Sequence, residues 1–152
     1  MEIREGGLSE PAVETMLRAH FEQMLTHSPE GSCHFLDLDG LKARDVTFWS
    51  AWDGDTVLGC GALREIDPRH GEIKSMRTAP FMLRRGVGAA ILKTILATAR
   101  ERGYVRLSLE TGSGPAFEPA HQLYRLFGFS DCPAFADYAD DDPFSRFMTR
   151  VL

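Results

Sequence analysis

Little in this chain points to a metal, a membrane or a nucleic acid. Its 152 residues contain three cysteines, Cys33, Cys60 and Cys132, widely spaced and odd in number. No Cys-x-x-Cys occurs among them, so neither a zinc site nor a disulfide framework is suggested, and reduced thiols of a cytoplasmic protein are expected. No apolar run is long enough to span a bilayer, and the N-terminus lacks the layout of a secretory signal. Cationic side chains are not in excess: 17 Lys and Arg against 22 Asp and Glu leave a net charge of −5. That balance argues against general nucleic-acid affinity and leaves room only for a local basic site. His20, His27 and His34 recur every seven residues, but Ser28-Pro29-Glu30-Gly31 breaks the helix that would align them, so no metal is expected. Repeats, linkers and low-complexity stretches are missing too, and residues 1–152 read as a single domain.

What is present centres on Met76-Arg77-Thr78-Ala79-Pro80-Phe81-Met82-Leu83-Arg84-Arg85-Gly86-Val87-Gly88-Ala89. An extended segment stops at a proline, crosses a basic loop with two glycines, and opens into a helix. Free amides at a helix N-terminus beside arginines suit a phosphate or pyrophosphate. The helix is marked by the stripe Val87, Ile91, Leu92, Ile95, Leu96 and Ala99 and by a stop at Gly103. Val105, Leu107 and Leu109 then alternate with polar residues as a half-buried strand does. The loop is not a Walker loop, because no Gly-Lys-Ser/Thr follows, and the Rossmann glycine pattern is incomplete.

The remaining elements follow from similar signals. Ile3 sits in a short first strand, and Val13, Met16, Leu17, Phe21 and Met24 have helical spacing after a cap at Ser9 and a first-turn Pro11. Residues 27–45 look irregular. Val46–Trp52 and Thr56–Ile66 form a hairpin across Asp53-Gly54, Glu72–Thr78 makes a third strand, and Ser145–Val151 a last one. A third helix spans Glu118 to Phe127, with Ala120, Leu123, Tyr124 and Phe127 on one face and Gly128 as its stop. From periodicity alone Tyr124 is an aromatic core residue.

Taken together, the two glycine-bearing segments resemble the GNAT superfamily of N-acetyltransferases. Gly86 and Gly88 match the acyl-CoA loop Gln/Arg-x-x-Gly-x-Gly/Ala, with Leu83 in place of its first residue. Met76, Thr78 and Pro80 occupy the preceding Leu-x-Val-x-Pro strand end. Ala120, Leu123, Tyr124, Gly128 and Phe129 match the later pattern Ala-x-x-Leu/Phe-Tyr-x-x-x-Gly-Phe in full. The resemblance implies an α/β architecture with a mixed sheet of six or seven strands and about four helices. It also implies acetyl-CoA as co-substrate, held by Met76, Arg77, Thr78, Arg84, Arg85, Gly86, Val87, Gly88 and Ala89. A backbone N–H near Met76 would be the oxyanion donor, and dimers are frequent in the family.

Acyl transfer to an amine needs a neutral amine, a polarised thioester and a proton for the departing thiolate. The resemblance makes Tyr124 the acid and Glu72 the candidate base, with His70 and Glu110 as reserves. Glu72 is equally readable as an ion-paired glutamate beside Lys74. His20, His34, Trp49, Phe135 and Tyr138 are candidate acceptor-lining residues, and Asp137, Asp140, Asp141 and Asp142 a solvated acidic loop. The expected activity is direct transfer of an acetyl group to a small-molecule amine or amino acid in a ternary complex. The alternatives are a non-catalytic acyl-CoA-binding module and a site for another phosphorylated ligand.

Overall fold

The computed structural model describes residues 1–27 and 37–152, with only the backbone of His27. Cys33 and His34 lie outside the described residues. Seven strands form one mixed sheet: β1 (Glu2–Glu5), β2 (Val46–Asp53), β3 (Thr56–Asp67), β4 (His70–Thr78), β5 (Arg106–Gly112), β6 (Ser130–Asp131) and β7 (Ser145–Val151). Their spatial order is β1-β2-β3-β4-β5-β7-β6. Among the described residues only β4 and β5 pair in parallel; every other described pair is antiparallel. Among the described residues four α-helices accompany the sheet: α1 (Pro11–His27), α2 (Leu38–Leu41), α3 (Val87–Glu101) and α4 (Glu118–Leu126). The expected mixed sheet and helix number are thus observed.

Side-chain alternation along the strands creates two cores. On one face Trp49, Ala51, Leu58, Leu63, Ile73, Leu107 and Leu109 pack against the stripe of α3, together with Tyr124 and Phe129. On the other, Phe48, Trp52, Val57, Cys60 and Ala62 meet Val13 and Leu17 of α1 and Leu41 of α2. Ile91, Leu92 and Ile95 are fully buried, each burial contributing about 1.5–3 kcal/mol. Gly59 and Gly61 let α3 approach this closely: a Cβ at Gly61 would lie 2.7 Å from Ile91 and 2.6 Å from the Met76 sulfur.

Local differences from the sequence reading have simple causes. The first hydrogen bond of α1 runs from Glu14 N–H to Glu10 C=O, so Glu10 rather than Ser9 borders the helix. The stretch read as irregular contains α2, capped by the Asp37 carboxylate on the Gly40 amide at 2.8 Å. Strand β4 begins at His70, two residues early, because its pairing with β5 starts there.

Strand β4 departs from a regular ladder in two ways. Its parallel pairing with β5 covers only His70↔Arg106 to Ile73↔Leu109. Beyond that point the strands part, although β4 stays paired to β3 as far as Thr78 and β5 to β7 as far as Gly112. The second departure is a bulge. Cys60 opposes Arg77 while Ala62 opposes Lys74, so two residues of β4 face one of β3, and Ser75 adopts φ 55. The bulge inverts the alternation. Glu72, Lys74 and Arg77 therefore share the α1 face with Cys60 and Ala62, while Ile73 and Met76 face α3.

Candidate active site

A cavity of about 700 Å³ occupies the gap between the diverging strands, within the range usual for small-molecule sites. Its lining includes residues of both sheet faces: Val87, Gly88, Leu123 and Tyr124 on the α3 side, His20, Gln23, Lys74 and Glu110 on the α1 side. The parted strands thus join two chambers.

The α3 chamber is built from backbone. Gly86 precedes α3 with φ 84, a conformation that other residues adopt only under strain. The first intrahelical bond runs from Ala90 N–H to Gly86 C=O, so the amides of Val87, Gly88 and Ala89 precede the helical ladder at the cavity. Space here is tight: a Cβ at Gly88 would lie 3.1 Å from Leu123 and 3.6 Å from the Thr78 hydroxyl. Arg84, itself left-handed at φ 64, lines the cavity, whereas Arg85 does not. Tyr124 is 4% exposed, and burial raises its pKa above the ordinary phenol value. Among the described residues its hydroxyl has no hydrogen-bond partner.

Ionisable side chains build the α1 chamber. Glu72 is fully buried, outside the cavity lining, and held on three sides. Tyr138 donates to its Oε2 at 2.5 Å, Lys74 Nζ lies 3.5 Å from the same oxygen, and Arg64 Nε lies 3.5 Å from Oε1. Lys74 also donates to the Tyr138 oxygen at 2.8 Å, and burial lowers its pKa. Glu110 lies in the lining, with its pKa raised to about 7 by burial and by nearby Glu72, against the opposing pull of Lys74. His20 is buried and driven down to about 4, by desolvation and then by the charge of Arg77. The Ser75 hydroxyl at the bulge is buried without a hydrogen-bond partner among the described residues, and Ser75 is part of the lining.

The residues singled out in the sequence are distributed accordingly. Met76, Thr78, Arg84, Gly86, Val87, Gly88, Ala89 and Tyr124 come together around the cavity. Arg77 lines it too, but its guanidinium donates to the Gln23 side chain on α1. Of the acceptor candidates, His20 reaches the cavity. Trp49 is in the α3-side core, while Phe135, Tyr138 and Phe147 pack edge-on or tilted against one another at ring distances of 5.2 to 5.7 Å. His70 is tied to the Ser108 hydroxyl at 2.7 Å. Asp142 accepts from the Phe144 amide at 2.9 Å, turning the chain into β7.

Sequence reasoning missed His121, fully buried on α4 three residues before Tyr124. Its Nε2 lies 2.6 Å from the Thr111 hydroxyl and 3.2 Å from the Gly112 carbonyl, and Arg146 approaches Nδ1 at 3.1 Å. With Arg146 donating, Nδ1 is the acceptor and Nε2 carries the proton. This fastens α4 to β5 beside the cavity. The apolar stripe of α4 gave no hint of it.

No group of His, Cys, Asp and Glu among the described residues could hold a metal ion, and no described helix is long and apolar enough to cross a membrane. Cys60 lies in the α1-side core with its thiol pushed up to about 12 by burial, and it donates to the Ser75 carbonyl at 3.3 Å.

Comparison with known proteins adds a family and relatives. The model of the acetyltransferase (GNAT) family matches residues 11–129. An uncharacterized N-acetyltransferase of Bacillus subtilis (strain 168) is 51% identical over 152 residues, covering all of both chains. An IAA acetyltransferase of Azospirillum brasilense is 38% identical over 82% of this chain and 80% of its own length. Among solved structures, an acyl-CoA N-acyltransferase from Klebsiella pneumoniae superposes with a TM-score of 0.82 at 27% identity, covering 99% of this chain and 97% of its own. A Mycobacterium tuberculosis protein in complex with CoA shares the fold at a TM-score of 0.72 and 22% identity, over 100% of this chain and 99% of its own.

Proposed function

Given that the chain belongs to the GNAT family of acetyltransferases, we propose that it moves an acetyl group from acetyl-CoA to the primary amine of a small molecule or amino acid, directly and within a ternary complex. The observation that carries this reading is the continuity of the cavity from the α3 amides, past Tyr124, to Glu110 and Lys74 across the sheet.

The residues present fit the co-substrate. The amides of Val87, Gly88 and Ala89, at the positive end of α3 and beside Arg84, suit a pyrophosphate. The open side of β4 from Lys74 to Thr78 offers backbone groups to an amide-bearing arm, since only its β3 side is paired. When bound, acetyl-CoA supplies an acetyl thioester open to attack by a neutral amine.

Each proton has a holder on its own side. Glu110 is half ionised near neutral pH, which suits it to take a proton from an ammonium better than an ordinary carboxylate would. This reading prefers Glu110 to Glu72, whose three partners keep it out of the cavity lining. Tyr124 Oη keeps its proton through the neutral range, as an acid serving a leaving thiolate must. Direct transfer agrees with Cys60 being buried and held as the thiol, and with Cys132 lying outside the lining. A cytoplasmic site of action fits the same reading.

Thermal shift with acetyl-CoA, CoA and ATP at matched concentrations, followed by thiol release with an amine panel, tests the proposal. Acetyl-CoA at about one hundred times its Kd stabilises the fold by about 2.7 kcal/mol, and an accepted amine releases CoA. Stabilisation without release for any amine would leave only an acyl-CoA-binding module. The absence of any CoA-dependent shift would overturn the donor site itself.

A further inference from the structure

A cation that lines a cavity is ordinarily matched by a counter-charge, because partial burial without one is costly. Lys74 conforms, with Glu72 at 3.5 Å and the charge of Glu110 also acting on it. Arg77 does not. It is half-buried, burial lowers its pKa, and among the described residues no carboxylate pairs with it. Its neighbours among the described residues are neutral: the amide of Gln23, the imidazole of His20 and the thiol of Cys60. A guanidinium so placed presents a planar donor fork with room for an anion.

That anion does not belong to the pyrophosphate end of the cavity. The bulge at Ser75 turns Arg77 onto the α1 face, whereas the open amides of α3 lie on the other. Along β4 it stands three residues from Lys74, a Cα separation of at most about 10 Å, and Lys74 is within electrostatic reach of Glu110. One chamber thus holds a carboxylate suited to an amine and, one short strand segment away, an arginine with no carboxylate partner among the described residues.

We infer that Arg77 is a specificity residue for the acceptor, and that the acceptor is a compact amine bearing its own carboxylate, with the amine toward Glu110 and the carboxylate on Arg77. Gln23 steers the guanidinium, and neutral His20 neither competes for the anion nor repels it. This inference rests on the transfer reading for the amine end only; the carboxylate end is a binding claim that can be read without turnover.

Binding of the N-acetyl derivatives of the protein amino acids, each against its own primary amide and with saturating CoA, tests it by thermal shift and calorimetry. At least one acid should bind about ten- to a hundredfold more tightly than its amide, as a charge-assisted pair would provide. Arg77→Gln should erase the difference and Arg77→Lys should keep part of it, the CoA-dependent shift reporting that each variant is folded. Equal binding of every acid and its amide overturns the inference, in the unaltered protein and without any variant. A preference surviving in Arg77→Gln overturns it as well. Failure of thiol release with all amines would remove the transfer reading while leaving an acid preference intact. Release with amines of every kind, with no acid preference, would do the reverse.

Discussion

The two faces of the sheet solve different problems with different materials. On the α3 face, the proposed recognition of the co-substrate rests on main-chain groups and small residues: the amides that open α3, the left-handed Gly86, and Gly88 packed against Leu123 and Thr78. On the α1 face the proposed recognition of the acceptor rests on ionisable side chains, Lys74, Arg77 and Glu110, with Glu72 and Tyr138 bracing Lys74. A main-chain site depends on where the chain turns and tolerates changes in neighbouring side chains. A site of charged side chains depends on which way each residue of β4 points, and one inserted residue decides that.

This contrast is most severely tested at Gly88. Gly88→Asp places a carboxylate where the proposed pyrophosphate binds, and such like-charge juxtaposition costs several kcal/mol; acetyl-CoA affinity should fall about a hundredfold or more, read by loss of the thermal shift. Tyr124→Phe should lower kcat by about a hundredfold with the acetyl-CoA Kd within about threefold, and an equal loss of both would make Tyr124 a packing residue. On the opposite face, activity should rise with pH through about 7, because Glu110 must shed its proton to act as base and its pKa is raised to that value. Glu110→Gln should remove this rising limb from the kcat/KM profile. Lys74→Met should move the limb to higher pH, since Lys74 holds the Glu110 pKa down; a limb that stays in place would detach Glu110 from the chemistry. Smallest of all, Arg85→Ala should change the acetyl-CoA KM by about twofold or less, diminishing with salt, as an exposed charge outside the cavity lining does.

Legibility in the sequence divides along the same line. The α3 chamber could be read from the chain because its makers are local: glycines at fixed offsets, a proline ending a strand, an apolar stripe that starts a helix. The hairpin at Asp53-Gly54 and the stop at Gly103 were legible for the same reason, and both glycines take positive φ. The α1 chamber was not. Lys74 and Arg77 are three apart, which on a regular strand sets them on opposite faces. Only the bulge at Ser75, visible as a register shift against β3, brings them together. Glu72 and Glu110 are both carboxylates of inner strands, and nothing in their local sequence tells which is enclosed by Arg64, Lys74 and Tyr138. His121 belongs with these, since its partners Thr111 and Arg146 come from two other strands.

The parting of β4 from β5 has one more consequence. A sheet normally keeps its raw edges at its margins, where an unpaired row of N–H and C=O groups invites pairing with foreign chains. Here two such edges lie in the interior, one on β4 after Ile73 and one on β5 after Leu109, each strand paired on its other side apart from the bulge at Ser75. A linear, amide-bearing ligand slid between them, as proposed for acetyl-CoA, would act as a further strand, completing the ladder rather than merely filling a hole. The amides along that seam should therefore exchange with solvent faster than those of the matching ladders on either side, and slow down when the seam is closed.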